Sequence, residues 1–165
     1  MSDQSPIYQC QKYRLVLIGE GEPLPHLTDT FPLSNPERVA HYLRPVLETY
    51  DREAFVVLAM DARNHPIGYH IVSIGALAAS MVHPRETFKF AILANAASVI
   101  FAHNHPSGDP DPSKDDIELT RRLQKGGEIL GIEVLDSFVL AGMDKYSSLR
   151  ESNLMTEKGD LLWAA

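Results

Sequence analysis

One stretch constrains this chain more than any other. Ser98-Val99-Ile100-Phe101-Ala102-His103-Asn104-His105 runs into Pro106-Ser107-Gly108-Asp109-Pro110-Asp111-Pro112 and then Ser113-Lys114-Asp115-Asp116. It reads as a short buried strand, a proline-rich loop and the first turn of a helix. Residues two apart on an extended strand share a face, so His103 and His105 can aim both imidazoles at one point beyond the strand's end. Ser113 suits a helix N-cap, its hydroxyl accepting from a first-turn N–H. Asp116 follows three residues later on the same helix face. Two imidazoles and one carboxylate give three ligands, and a fourth position left for water is the usual plan of a catalytic zinc site.

Each piece alone has an ordinary explanation. A His-x-His pair commonly decorates a surface, and Ser-x-x-Asp at a helix start is commonly a cap with its carboxylate near the positive end of the helix dipole. Their succession across a loop held by three prolines makes the coincidence hard to sustain.

A chain of 165 residues suits one compact domain with a substantial core. Net charge is −7, which argues against a non-specific nucleic-acid binder, whose affinity comes mainly from phosphate neutralisation. The single cysteine, Cys10, excludes an intramolecular disulfide and a cysteine-ligated zinc site. The N-terminus shows no basic segment followed by an apolar one, and no apolar run approaches membrane-spanning length. The expectation is a soluble cytoplasmic protein without membrane contact.

Along the chain, residues 1–11 read as a polar arm and residues 12–18 as a β-prone edge or added strand. The proline-containing segment 19–32 reads as a linker. Ser34 and Glu37 form a capping-box pair opening a helix that continues through Val39, Leu43, Val46 and Tyr50, with Pro45 expected to kink or divide it. Residues 53–61 form a nearly continuous apolar run, expected as a central strand buried on both faces. Arg63-Asn64-His65-Pro66 supplies a turn, and residues 67–74 return antiparallel. A helix begins at His83-Pro84-Arg85-Glu86. After Asp116 a second long helix runs to Leu130, weakened near its end by Gly126-Gly127. Residues 132–136 and 138–141 read as another strand, residues 142–145 as a turn, and the tail from Ser148 as a short helix with a frayed end. The fold class is α/β, a mixed β-sheet flanked by helices.

His103-x-His105, seven residues, Ser113, two residues and Asp116 match the JAMM (MPN-domain) metalloprotease pattern at every fixed position. The wording His103-Asn104-His105-Pro106-Ser107-Gly108, with Pro112-Ser113 ahead of the aspartate, resembles the bacterial RadC branch of that family. The resemblance implies a cytidine-deaminase-like architecture. It divides the chain into an arm, edge strand and linker (1–33), a RadC-type JAMM/MPN domain (34–156) and a tail (157–165). RadC-family proteins often carry an N-terminal helix-hairpin-helix module. About 33 residues precede the first domain helix here, too few and too proline-rich for it, so the chain looks like the short stand-alone proteins of mobile elements. Family sequences commonly have Gly-Thr where this one has Gly75-Ala76, and Asp-His where it has Asp136-Ser137; substrate contacts can differ there.

A metal-activated water still needs a base, and glutamate suits that task. Glu20, Glu22, Glu37, Glu48, Glu53 and Glu86 all lie upstream, and the residues alone do not choose among them. By the resemblance the catalytic glutamate heads the strand before the motif, the context of Glu53; Glu86 is its rival. The resemblance also gives Ser113 an oxyanion-supporting role beside that of helix cap. Asn104 should point to the opposite face and fix the loop, and Asp109 and Asp111 serve the loop's shape. The remaining histidines read as surface or turn residues.

The expected function is a JAMM-type zinc hydrolase cleaving a peptide, isopeptide or other amide bond of a protein or peptide substrate. The alternative is a DNA-repair or mobile-element accessory acting as a binding module without proteolysis. It rests on the family label alone, and the acidic charge disfavours DNA. A non-catalytic interaction domain typically loses the metal ligands, which this chain keeps. A nucleobase deaminase needs a Pro-Cys-x-x-Cys pair that is missing here. Nothing in the sequence fixes the oligomeric state.

Overall fold

A computed structural model of the chain describes residues 14, 16–19, 33, 35–75 and 82–156. Among the described residues eight elements follow in order: α1 (Pro36–Leu47), β1 (Ala54–Met60), β2 (Pro66–Ile74), α2 (Pro84–Leu93), β3 (Ser98–His105), α3 (Lys114–Leu130), β4 (Glu133–Ala141) and β5 (Lys145–Ser148). The strands make one mixed sheet in the order β2-β1-β3-β4-β5. β3 and β4 are parallel, with α3 as their crossover, and every other pair is antiparallel. The α/β class and the mixed sheet expected from sequence are therefore present.

β1 is buried along its whole length, as its unbroken apolar run requires. Strand alternation divides its side chains between two cores. Ala54, Val56, Leu58 and Met60 join Ile100, Ala102, Phe138 and Leu140 under Leu43 and Leu47 of α1. Phe55 and Val57 join Val99 and Phe101 under Phe88 of α2 and Leu119 and Leu123 of α3. Each face of the sheet is thus sealed by helices, and the carboxyl end of β3 opens where α3 begins.

Several local expectations change. The N-cap of α1 is Asn35, whose Oδ1 accepts from the Arg38 N–H at 2.9 Å; Ser34 lies outside the described residues. Pro45 does not divide α1: it falls in the last turn, and the helix ends two residues later. Arg14 and residues 16–19, the described part of the expected N-terminal strand, join no strand, and Val16, Leu17 and Ile18 are exposed.

β4 is continuous, and after a turn at residues 142–144 the chain makes β5, where sequence reading placed only a turn and a helical tail. Its signal was too short to read, four residues without alternation; residues 149–153 form turns. α3 runs through Gly126-Gly127 to Leu130, as expected. A Cβ at Gly127 would stand 2.5 Å from the Ile132 carbonyl oxygen, so glycine lets α3 and the entry to β4 pack. Among the described residues no helix is long and apolar enough to cross a membrane.

Candidate metal centre

His103 and His105 lie at the end of β3, on the face shared by Phe55 and Phe101. The β1–β3 register puts Phe55 opposite His103, and the two rings stack at a centroid separation of 6.3 Å. α3 then delivers Asp116 from its first turn. The Nε2 atoms of His103 and His105 are 3.1 Å apart. Oδ1 of Asp116 is 3.4 Å from His103 Nε2, and Oδ2 is 3.6 Å from His105 Nε2. His103 and Asp116 are buried, and His105 is partly open.

These separations decide what the group can hold. Ligand bonds of about 2.0–2.2 Å in a tetrahedral site put neighbouring ligand atoms about 3.3–3.6 Å apart. The observed triangle has nearly those edges before any ion is considered. Lone pairs converging this closely repel one another unless a cation, metal or proton, sits among them. His105 Nδ1 lies 2.8 Å from the Asp109 carbonyl oxygen, which can only accept, so Nδ1 donates there and, in the neutral ring, Nε2 carries the lone pair. His103 Nδ1 is buried without a partner among the described residues. The donor set fits a divalent ion.

Asp116 is aligned by the start of its own helix. Ser113 caps α3 with its Oγ accepting from the Asp116 N–H at 3.2 Å, and the Ser113 N–H donates back to Asp116 Oδ2 at 2.8 Å. The Ser113 hydroxyl also donates to Oδ2, at 2.6 Å. Oδ1 remains turned to His103. Burial pushes the Asp116 carboxyl up, but His103 beside it and the two Ser113 donors outweigh burial and hold it well below the usual carboxylate range.

The other sequence candidates separate clearly. Glu53 immediately precedes β1, its carbonyl accepting from the Gly75 N–H at 2.8 Å. Glu53 stands two residues ahead of Phe55, the last residue of β1 paired with β3, whose partner there is His103. Glu86 is an exposed first-turn residue of α2, ion-paired with Lys89 and, at 3.4 Å, with Arg85. Those two cations hold its carboxyl below its ordinary value, Lys89 foremost. His83, read as a turn residue, is the N-cap of α2 through Nδ1. Ser137 is buried on the face of β4 that includes Val139, the residue paired with His103; Ala76 lies outside the described residues. Sequence reading gave Asp109 only a loop-shaping role and missed its carbonyl as the partner of His105. A backbone acceptor carries no side-chain signal by which to find it.

The family model of the RadC-like JAB domain matches residues 33–154. A UPF0758 protein of Desulfitobacterium hafniense is 47% identical over 123 residues, covering 74% of this chain and 54% of that protein. One from Symbiobacterium thermophilum is 50% identical over 124 residues, covering 75% and 53%. One from Methanosarcina mazei is 43% identical over 123 residues, covering 74% and 53%. The chain therefore spans about half the length of the curated relatives it matches.

Proposed function

The chain belongs to the RadC-like JAB domain family, and from that premise we propose that it is a zinc-dependent hydrolase of amide bonds in a protein or peptide. The observation that carries this reading is the convergence of His103 Nε2, His105 Nε2 and the Asp116 carboxylate at tetrahedral-edge distances. Two imidazoles and a carboxylate suit zinc. His103, His105 and Asp116 hold the ion. When bound, zinc polarises a carbonyl oxygen and makes water acidic enough to react near neutral pH.

The chain's own residues do the rest. Glu53 accepts the proton of the attacking water at its carboxylate and returns it to the leaving amide nitrogen, the general acid–base task that glutamate suits. Ser113 holds Oδ2 of Asp116 and so keeps the third ligand in place. The Ser113 N–H keeps hold of Oδ2, and the exposed hydroxyl turns its one proton away from Oδ2 to the oxygen that gains charge as the carbonyl is attacked. The net charge of −7 supports a protein or peptide rather than a nucleic acid as substrate.

The test compares zinc content and peptide-bond cleavage in the parent, His103→Ala and Glu53→Gln. We expect one zinc per chain in the parent and in Glu53→Gln, none in His103→Ala, and cleavage by the parent alone. Equal zinc together with equal hydrolysis in the parent and Glu53→Gln overturns the reading.

A further inference from the structure

Asn104 stands between the two histidines, yet alternation turns its side chain to the opposite face of β3, toward α1. There it is buried, 8% exposed, and fully engaged. Its Oδ1 accepts from the Ala54 N–H at 2.7 Å. Its Nδ2 donates to the Arg52 carbonyl at 3.0 Å and to the Tyr50 carbonyl at 3.4 Å.

These bonds take hold of both peptide groups that flank Glu53. The carbonyl before it belongs to Arg52, and the N–H after it to Ala54. Backbone pairing between β1 and β3 stops at Phe55 and His103, and one carboxamide carries the connection past that point. From the β2 side the Gly75 N–H fixes the Glu53 carbonyl itself, at 2.8 Å.

We propose that Asn104 is a positioning residue whose carboxamide sets where the Glu53 carboxylate stands relative to the His103–His105–Asp116 centre. The inference rests on the role proposed above for Glu53. The task needs an acceptor and a donor in one short planar group, which an aspartate or a leucine does not provide. It also needs a residue on the ligand strand that faces away from the ion, and in a strand that residue is the one between the two ligands. One tripeptide, His103-Asn104-His105, thereby fixes two ligands on one face and the base's backbone through the other.

The test needs no substrate. The full chain is loaded with Co(II), and its visible absorption is followed against pH in the parent, Glu53→Gln, Asn104→Ala, Asn104→Ser and the double variant Glu53→Gln/Asn104→Ala. We expect unchanged cobalt stoichiometry throughout and a displaced titration midpoint in Glu53→Gln. Asn104→Ala and the neutral, less disruptive Asn104→Ser should move it the same way by at least half as much. The double variant should move it no further than Glu53→Gln alone, which a merely structural role for Asn104 would not produce. A parental midpoint in both Asn104 variants while Glu53→Gln shifts, or additive shifts in the double variant, overturns the proposal. A parental midpoint in Glu53→Gln removes the base assignment itself, and this inference with it.

Discussion

At the scale of single residues, Asp116 uses its two oxygens differently. Oδ2 is held by Ser113, and Oδ1 is left facing His103. Asp136 shows the opposite electrostatic outcome. Burial pushes its carboxyl up, and the donors on it, the Ser148 hydroxyl and the Arg150 and Ser137 N–H groups, do not fully offset that. A raised folded pKa means the folded state holds the proton more tightly, so its contribution is present below the unfolded value of about 4 and is lost as pH rises through the folded value. Urea unfolding of the parent and Asp136→Asn should therefore show their stability difference moving in favour of the variant as pH rises above about 4. A difference independent of pH contradicts it. The pairing of His103 and His105 was legible because alternation alone puts them together. The Asp109 carbonyl and the peptide groups on either side of Glu53 were not, since backbone partners leave no mark on the identity of the residues that supply them.

At the scale of elements, α3 links the centre to the rest of the sheet. Ser113→Ala removes its cap and one donor to Asp116. We expect a loss of about 1 kcal/mol in stability and a metal affinity lower by about 10- to 100-fold, read by chemical denaturation and competition with a chelator. If metal is retained at parental affinity while hydrolysis falls, the oxyanion role of Ser113 is the one supported. At the other end, Gly127→Ala drives a Cβ against the Ile132 carbonyl and should destabilise by about 2 kcal/mol despite the better helix propensity of alanine. Gly126→Ala meets nothing closer than the Phe88 ring at 3.3 Å and should change stability by less than about 1 kcal/mol. Long elements with clear patterns, β1, α2 and α3, were readable in sequence. β5 was not, because what makes those four residues a strand is pairing with β4 and the hold of Asp136 on Ser148, both set by tertiary contacts. The cap of α1 fell one residue from its expected place because asparagine and serine are near-equal caps.

At the scale of the molecule, two sheet faces sealed by α1 and by α2 and α3 leave the carboxyl end of β3 as a place where His103, Asn104 and Asp116 are buried together. An ion bound there joins β3 to α3 and stabilises the folded state alone, by about 2.7 kcal/mol at a hundred times its dissociation constant. Zinc should raise the melting temperature of the parent, chelation should reverse the rise, and His103→Ala should show neither effect. The central claim is that two strand histidines and a helix aspartate grip one divalent ion within reach of Glu53. Anomalous scattering at the zinc edge from crystals of the zinc-loaded chain tests it most directly. The account predicts one peak about 2.0–2.2 Å from His103 Nε2, His105 Nε2 and an Asp116 oxygen, with the Glu53 carboxylate facing the fourth position. A peak elsewhere, or one walled off from Glu53, would contradict it.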